Sequence, residues 1–152
     1  MEIAPAEGEE GAVDDAPDAP DKGERYVAVI DPYWSCLKGD IAAAVAKFNR
    51  LPGTRRPVVV EDIGRRLQVR GDGFGMDVTL EIEHECLRIR YMRHPGRRGE
   101  TPRMLNLRLD MRPEHLVIVD GNGCPIDDPA RFVLEPLFRA LAPAGETGRR
   151  KW

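Results

Sequence analysis

Hydrophobic and polar residues alternate along the central part of the chain with the period of two that is typical of strands packed on one face. The alternation is clearest over residues 67–69, 78–83, 87–91 and 105–109. Apolar, β-branched runs within residues 57–63 and 116–119 predict further strands. The pattern therefore predicts an antiparallel sheet with one dry face and one solvated face.

The segment before these strands contains one predicted helix. Residues 41–51 place their large apolar side chains on one helical face, Asp40 is a suitable N-cap, and the Pro-Gly pair at 52–53 ends the helix. Residues 26–30 form a β-branched run that is stopped by the Asp-Pro pair at 31–32. We expect this run to be a short edge strand or an extended lead-in.

A second helix is predicted near the end of the chain, over residues 129–142. Asp128 is a good N-cap, and Pro129 suits the first helical position because its missing N–H has no helical partner there. Pro136 lies inside the segment, which predicts a kink or a division into two short helices.

The hairpin over residues 78–91 has a predicted register. If Glu83 opposes Cys86 across a two-residue loop, apolar residues face each other on the dry side and Glu81 opposes Arg88. A slip of one residue would set apolar side chains against charged ones, so the pattern requires a loop with an even number of residues.

These elements predict an α+β fold: a mostly antiparallel, curved sheet of five to seven strands with both helices packed on one face. In an alternative arrangement, the sheet curls into a small half-barrel whose mouth is closed by the C-terminal helix, with an apolar pocket inside.

Charge divides the chain into three parts, although the formal net charge of the 152 residues is only −3. Residues 1–24 hold nine acidic residues and one lysine with almost no large apolar residue, which predicts a disordered acidic tail. Residues 25–143 have a net charge of +3 and form the predicted single domain, and residues 144–152 form a basic, flexible tail of charge +2. We find no signal sequence and no apolar run near the ~18 residues of a membrane span, so we expect a soluble cytoplasmic protein without membrane contact.

Motifs for catalysis, metals or cofactors are absent from the sequence. The three cysteines, Cys36, Cys86 and Cys124, are widely spaced, which favours reduced thiols over a zinc site. The segment 120–124 begins like a calcium loop, but a cysteine and a proline stand where a ligand and the turn glycine are needed. We therefore predict no catalytic, cofactor or metal residues and favour a protein that is not an enzyme.

Arginines are concentrated in the loop 93–103 and on the solvated face of the sheet. This loop has Glu100 as its single acidic residue. The candidate residues for binding anions or nucleic acid are Arg88, Arg90, Arg93, Arg97, Arg98, Arg103 and Arg108. Since no aromatic residue is interleaved on the solvated face for base stacking, arginines paired across strands and solvated are the favoured interpretation.

The aromatic pair Tyr33 and Trp34 has two interpretations. The favoured one is a plug over the edge of the core; the other is an exposed anchor at a protein interface, where these residue types are enriched.

The function predicted from these features is a non-catalytic binding or adaptor domain that engages an unidentified protein partner. The first alternative is a nucleic-acid-binding module that uses the arginine-rich loop 93–103. The second is a small-molecule pocket between the sheet and the helices.

Overall fold

The computed structural model describes residues 22–53, 56–93, 96, 98–113 and 115–142. The predicted tails, 1–24 and 144–152, lie outside the described residues except for residues 22–24, which begin a helix.

Six strands form one antiparallel sheet in which every strand pairs with its neighbours in chain order. The strands are β1 (Val59–Ile63), β2 (Arg66–Arg70), β3 (Phe74–Glu81), β4 (Cys86–Arg93), β5 (Arg103–Met111) and β6 (Leu116–Val119). Two helices, α1 (Lys22–Asn49) and α2 (Pro129–Leu141), pack against the sheet and against each other. The predicted α+β fold is confirmed, with the sheet open because β1 and β6 do not pair.

The core lies between the helices and the dry face of the sheet. The helices contribute two apolar stripes: Tyr26, Ile30, Trp34, Leu37, Ile41, Val45 and Phe48 from α1, and Ala130, Val133, Leu134, Leu137 and Phe138 from α2. The two helices meet where the rings of Phe48 and Phe138 stack, with centroids 4.3 Å apart and planes inclined by 9°. This contact ties the C-terminal end of α1 to α2, so both helices cover the sheet as one layer.

Helix α1 is much longer than the sequence predicted. Residues 26–30 are helical and not a strand, Asp40 lies within the helix and not at its N-cap, and Pro32 is accommodated inside it. The reason is the buried stripe of α1, whose members follow one another at intervals of three or four residues on both sides of Pro32. Burial of this continuous stripe outweighs the β-propensity of residues 26–30 and the helix-breaking effect of the proline.

The β3–β4 hairpin has the predicted even-numbered loop but a register that differs from the prediction by two residues. Glu81 pairs with Cys86, and residues 82–85 form a four-residue turn in place of two. Glu85 takes a positive φ of 51° and donates its backbone N–H to the carbonyl of Ile82 at 3.1 Å, which closes the turn. A shift of two residues leaves every side chain on its predicted face, so alternation alone could not exclude it.

Helix α2 begins as predicted. The Asp128 carboxylate accepts a hydrogen bond from the backbone N–H of Arg131 at 3.2 Å, and Pro129 occupies the first turn. Of the two outcomes predicted at Pro136, the division into two helices is wrong, because α2 continues through it to Leu141, whereas the kink stays a prediction. The buried residues of α2 lie on both sides of the proline, so packing against the sheet holds the helix together there.

Replacing Pro32 by alanine should stabilise the protein. Pro32 is exposed on α1, and alanine restores a helical N–H and removes the clash with the preceding turn. We expect the free energy of unfolding in urea to rise by roughly 1–3 kcal/mol. An unchanged or lower value would show that the proline ring itself contributes to packing.

Candidate anion-binding groove

Two arginines occupy core-facing positions at one end of the sheet. Continuing the alternation of β4 by two residues past Tyr91 places Arg93 on the dry face, and continuing that of β5 before Leu105 does the same for Arg103. The pairing agrees, since Arg93 lies opposite Phe74 and Arg103 lies opposite Tyr91. The core pattern of both strands therefore ends in arginine at this end of the sheet.

Each of these arginines has its guanidinium over an aromatic ring. The guanidinium carbon of Arg93 lies 5.2 Å from the ring centroid of Phe74, and that of Arg103 lies 5.5 Å from the ring centroid of Tyr91. Both distances are within the range of a cation–π interaction. A guanidinium that lies over a ring can bind a planar oxyanion through its edge N–H groups. In Arg93 one of these groups, Nε–H, already donates to Glu100.

The two arginines differ in their remaining partners. Arg93 Nε lies 3.2 Å from Glu100 Oε2, and the Arg93 side chain is 39% exposed. Among the described residues, no carboxylate pairs with Arg103. The site therefore keeps an excess of positive charge, and the unpaired arginine, Arg103, is exposed.

A groove of about 620 Å³ lies beside these two arginines. Its lining includes Pro136, Leu137 and Ala140 of α2 and Thr101 and Pro102 of the β4–β5 loop. The volume is within the usual range of ligand pockets, about 300–1,000 Å³. The groove combines an apolar wall with convergent cationic groups, which suits a ligand that carries both an apolar and an anionic part.

Tyr91 joins the groove to helix α2. Its hydroxyl donates a hydrogen bond of 2.6 Å to the backbone carbonyl of Val133. Burial raises the pKa of Tyr91 to about 12, although the nearby Arg103 cation acts in the opposite direction. The phenol is thus a neutral donor at physiological pH, and the ring beneath Arg103 is held in place.

The seven arginines predicted from sequence do not form one site. Arg93 and Arg103 line the groove, and Arg90 borders it. Arg98 is exposed in the loop and does not line the groove, and Arg97 lies outside the described residues. The remaining two, Arg88 and Arg108, lie on the solvated face of the sheet, on the other side from the helices.

On the solvated face, arginines pair with carboxylates across strands. Arg66 Nη2 lies 3.1 Å from Asp77 Oδ2, and Arg88 Nη1 lies 3.1 Å from Glu81 Oε2. Within the described part of the chain, no carboxylate pairs with Arg90 or Arg108. Part of the positive charge of this face is therefore neutralised internally, and part of it is open to an anion.

Trp34 agrees with the interpretation of a plug over the core edge. Its side chain is buried, and its Nε1–H donates to the carbonyl of Gly64 at 2.7 Å. Its exposed fraction is only 4%. Tyr33 is half-buried, and burial, with a smaller effect of Asp40, raises its pKa to about 12. An interface role for this aromatic pair stays a prediction that depends on Tyr33.

Asp120 has a structural role in the segment that begins like a calcium loop. Its Oδ1 accepts hydrogen bonds from the backbone N–H groups of Asn122, at 2.8 Å, and Cys124, at 3.0 Å.

Among the described residues, no group of three or more His, Cys, Asp or Glu side chains is placed to hold a metal ion. In the same part of the chain, neither helix has the length and apolar character needed to cross a membrane.

Comparisons with known proteins give no relative for this chain: no protein-family model, no curated protein and no solved structure matches it.

The sequence interpretation identified the two groove arginines but not the aromatic and α2 residues around them. Phe74 precedes β4 by a full strand, and Pro136 follows it by more than forty residues. A signal was available in the alternation, which assigns Arg93 and Arg103 to the same face as Tyr91 when it is extended beyond the apolar residues.

Tyr91→Phe tests how the ring beneath Arg103 is held. At neutral pH, loss of the hydrogen bond to Val133 should lower the free energy of unfolding by about 1 kcal/mol. Because the folded-state pKa of Tyr91 is above its ordinary value of 10.0, the unfolded state ionises first as pH rises. The stability contributed by the neutral phenol is complete below pH 10 and is lost as pH approaches 12.

Urea unfolding of the wild type and Tyr91→Phe at neutral pH and near pH ~11 measures this effect. The wild type should lose more stability than the variant over this interval. Tyr33, whose pKa is also raised to about 12, contributes equally to both proteins. An equal loss in both would contradict the role assigned to Tyr91.

Proposed function

We propose that this protein is a non-catalytic binding domain that engages a protein partner, and that the groove beside Arg93 and Arg103 receives an acidic segment of that partner. The observation that carries the proposal is the position of these two arginines, over the rings of Phe74 and Tyr91 at core-facing positions of the sheet.

The chemistry of the groove favours a peptide with mixed character. Carboxylates of Asp or Glu match the planar donor edges of the two guanidinium groups. The apolar wall from Pro136, Leu137 and Ala140 suits an adjacent apolar or aromatic side chain. A short segment with acidic residues next to one large apolar residue satisfies both.

Nucleic-acid binding is the second candidate, and it is supported by the solvated face of the sheet, which shares Arg90 with the border of the groove. Arg90 and Arg108 on the solvated face have no carboxylate partner among the described residues, so they are available to phosphates. Two observations make it the weaker candidate. The neighbouring Arg66 and Arg88 are already paired with carboxylates. The aromatic rings of β3 and β4 lie on the opposite face of the sheet, so nucleic-acid bases bound at the solvated face could not stack on them.

A titration with a labelled peptide tests the first candidate. The probe is a synthetic peptide of alternating Glu and Ala with one central Phe, added to the full chain and followed by fluorescence anisotropy. Arg93→Ala with Arg103→Ala should weaken binding roughly tenfold or more, since a charge-assisted hydrogen bond contributes about 1.5–3 kcal/mol. Arg98→Ala is the matched control, because it removes an exposed arginine of the same loop without changing the groove.

The result that would contradict the proposal is equal weakening by Arg98→Ala and by the double substitution, or no binding of the peptide. A small anionic molecule that binds the wild type and is lost with Arg93→Ala and Arg103→Ala, while the peptide does not bind, would favour the small-molecule alternative.

The nucleic-acid candidate has its own titration. Single- and double-stranded oligonucleotides are added to the full chain at low and moderate salt. If the solvated face binds phosphates, affinity should fall steeply with salt, and Arg90→Ala with Arg108→Ala should reduce both the affinity and the salt dependence. We expect weak oligonucleotide binding that the groove variant Arg93→Ala with Arg103→Ala does not change.

A further inference from the structure

The two edges of the sheet are protected to different degrees. The edge at β6 is covered by the chain that follows it: Val119 forms a bridge with Pro125, and the backbone N–H of Ile126 donates to the carbonyl of Ile118 at 2.9 Å. In the described part of the chain, no strand or loop pairs with the outer side of β1. An unpaired strand edge is a template for another strand.

The register identifies which backbone groups of β1 point outward. The carbonyl of Arg65 accepts a hydrogen bond from the N–H of Leu80 of β3. In an antiparallel sheet the backbone groups of successive residues point to opposite sides, so the odd-numbered residues of β2 bond to β3 and the even-numbered residues bond to β1. It follows that Val60 and Asp62 direct their N–H and C=O groups away from the sheet. Both backbone groups of Val58 point the same way, but they are already bonded to the side-chain amide of Asn49, at 2.7 and 3.0 Å.

The surface on each side of this edge is shaped to receive side chains. On the helix side, a hollow of about 380 Å³ is bordered by the small residues Ser35, Gly39 and Ala42 of α1. On the solvated side, a hollow of about 290 Å³ is lined by Val59, which is 58% exposed, by Glu61 and by the arginines Arg56 and Arg70. A strand laid beside β1 would direct alternate side chains into these two hollows.

Charge argues against a second copy of this chain as the occupant. Antiparallel pairing of two β1 strands about Glu61 or about Asp62 sets identical carboxylates opposite each other, which is destabilising. Pairing about Val60 would need the backbone groups of Val58, which Asn49 holds. Self-pairing about any of these three residues is therefore disfavoured.

The same charges indicate the chemistry of a different partner. Asp62 is bound by Lys38 Nζ at 2.9 Å, whereas Glu61 is exposed and has no basic partner among the described residues. A lysine or arginine opposite Glu61 would form a cross-strand pair.

From these observations we infer that the β1 edge is a second interaction surface, which binds an extended segment of another protein by strand addition. The segment alternates apolar and polar residues and carries a lysine or arginine opposite Glu61. Main-chain bonds to Val60 and Asp62 provide affinity, and the two hollows and Glu61 provide specificity. This surface is separate from the groove of the proposed function and does not depend on it.

Selection from a phage-displayed library of random linear peptides on the full chain tests the inference. Enriched peptides should show period-two alternation with a basic residue among the polar positions, and a synthetic peptide of the enriched sequence should bind in a calorimetric titration. Val60→Pro should weaken that binding roughly tenfold or more, because proline removes the outward donor and obstructs the incoming strand while remaining compatible with an edge position. Val60→Thr is the matched control and should bind normally.

Glu61→Lys supplies a second test that does not depend on the fold tolerating proline. Selection on this variant should replace the basic preference by an acidic one, whereas Glu135→Lys, an equal charge change on α2, should leave the basic preference intact. Binding should also survive Arg93→Ala with Arg103→Ala, which separates this surface from the groove.

Each of the following results would overturn the inference: a library that yields no binder, enriched peptides without alternation, or peptide binding that Val60→Pro leaves unchanged. Concentration-dependent dimerisation that Val60→Pro abolishes would also overturn it, by showing that a second copy occupies the edge.

Discussion

Burial of the dry face of the sheet beneath two helices is the constraint on which the rest of this structure depends. A six-stranded meander exposes one apolar face, and a sheet of this kind is stable only when that face is covered. Helix α1 covers it with a stripe that runs from Tyr26 to Phe48, and α2 completes the layer through the stack of Phe48 on Phe138. The need for this coverage explains why α1 continues through Pro32 and α2 through Pro136.

The functional proposal follows from the place where coverage and the apolar pattern both end. At one end of β4 and β5, the core-facing positions are taken by Arg93 and Arg103, which lie over aromatic rings beside the C-terminal half of α2. A fold selected only for stability would favour apolar residues at such core-facing positions. Positions that contradict the local pattern are expected at functional sites, and Arg93 and Arg103 are such positions.

The sequence was informative where structure depends on local patterns and uninformative where it depends on packing between distant segments. The strands, the even-numbered β3–β4 loop and the Asp128 cap follow from alternation, register and capping, which are local. The prediction for residues 26–30 was wrong because the β-branched run and Pro32 are strong local signals against a helix. The apolar stripe that favours the helix is recognisable only over the whole of α1. The groove arginines were identified by composition, but the rings and helix residues around them come from separate elements that only the fold brings together.

The claim that Arg93 and Arg103 are present for recognition and not for folding can be tested directly by replacing both with methionine. Methionine keeps an unbranched side chain over each ring and restores the apolar pattern of β4 and β5. The measurement is the free energy of unfolding of the full chain in urea, compared with the wild type. We predict a free energy of unfolding equal to or higher than that of the wild type. Replacing binding-site residues by residues that suit the local pattern usually stabilises a fold while it removes the function. A decrease of more than about 2 kcal/mol would show that the arginine–aromatic contacts hold the fold together and would contradict this account.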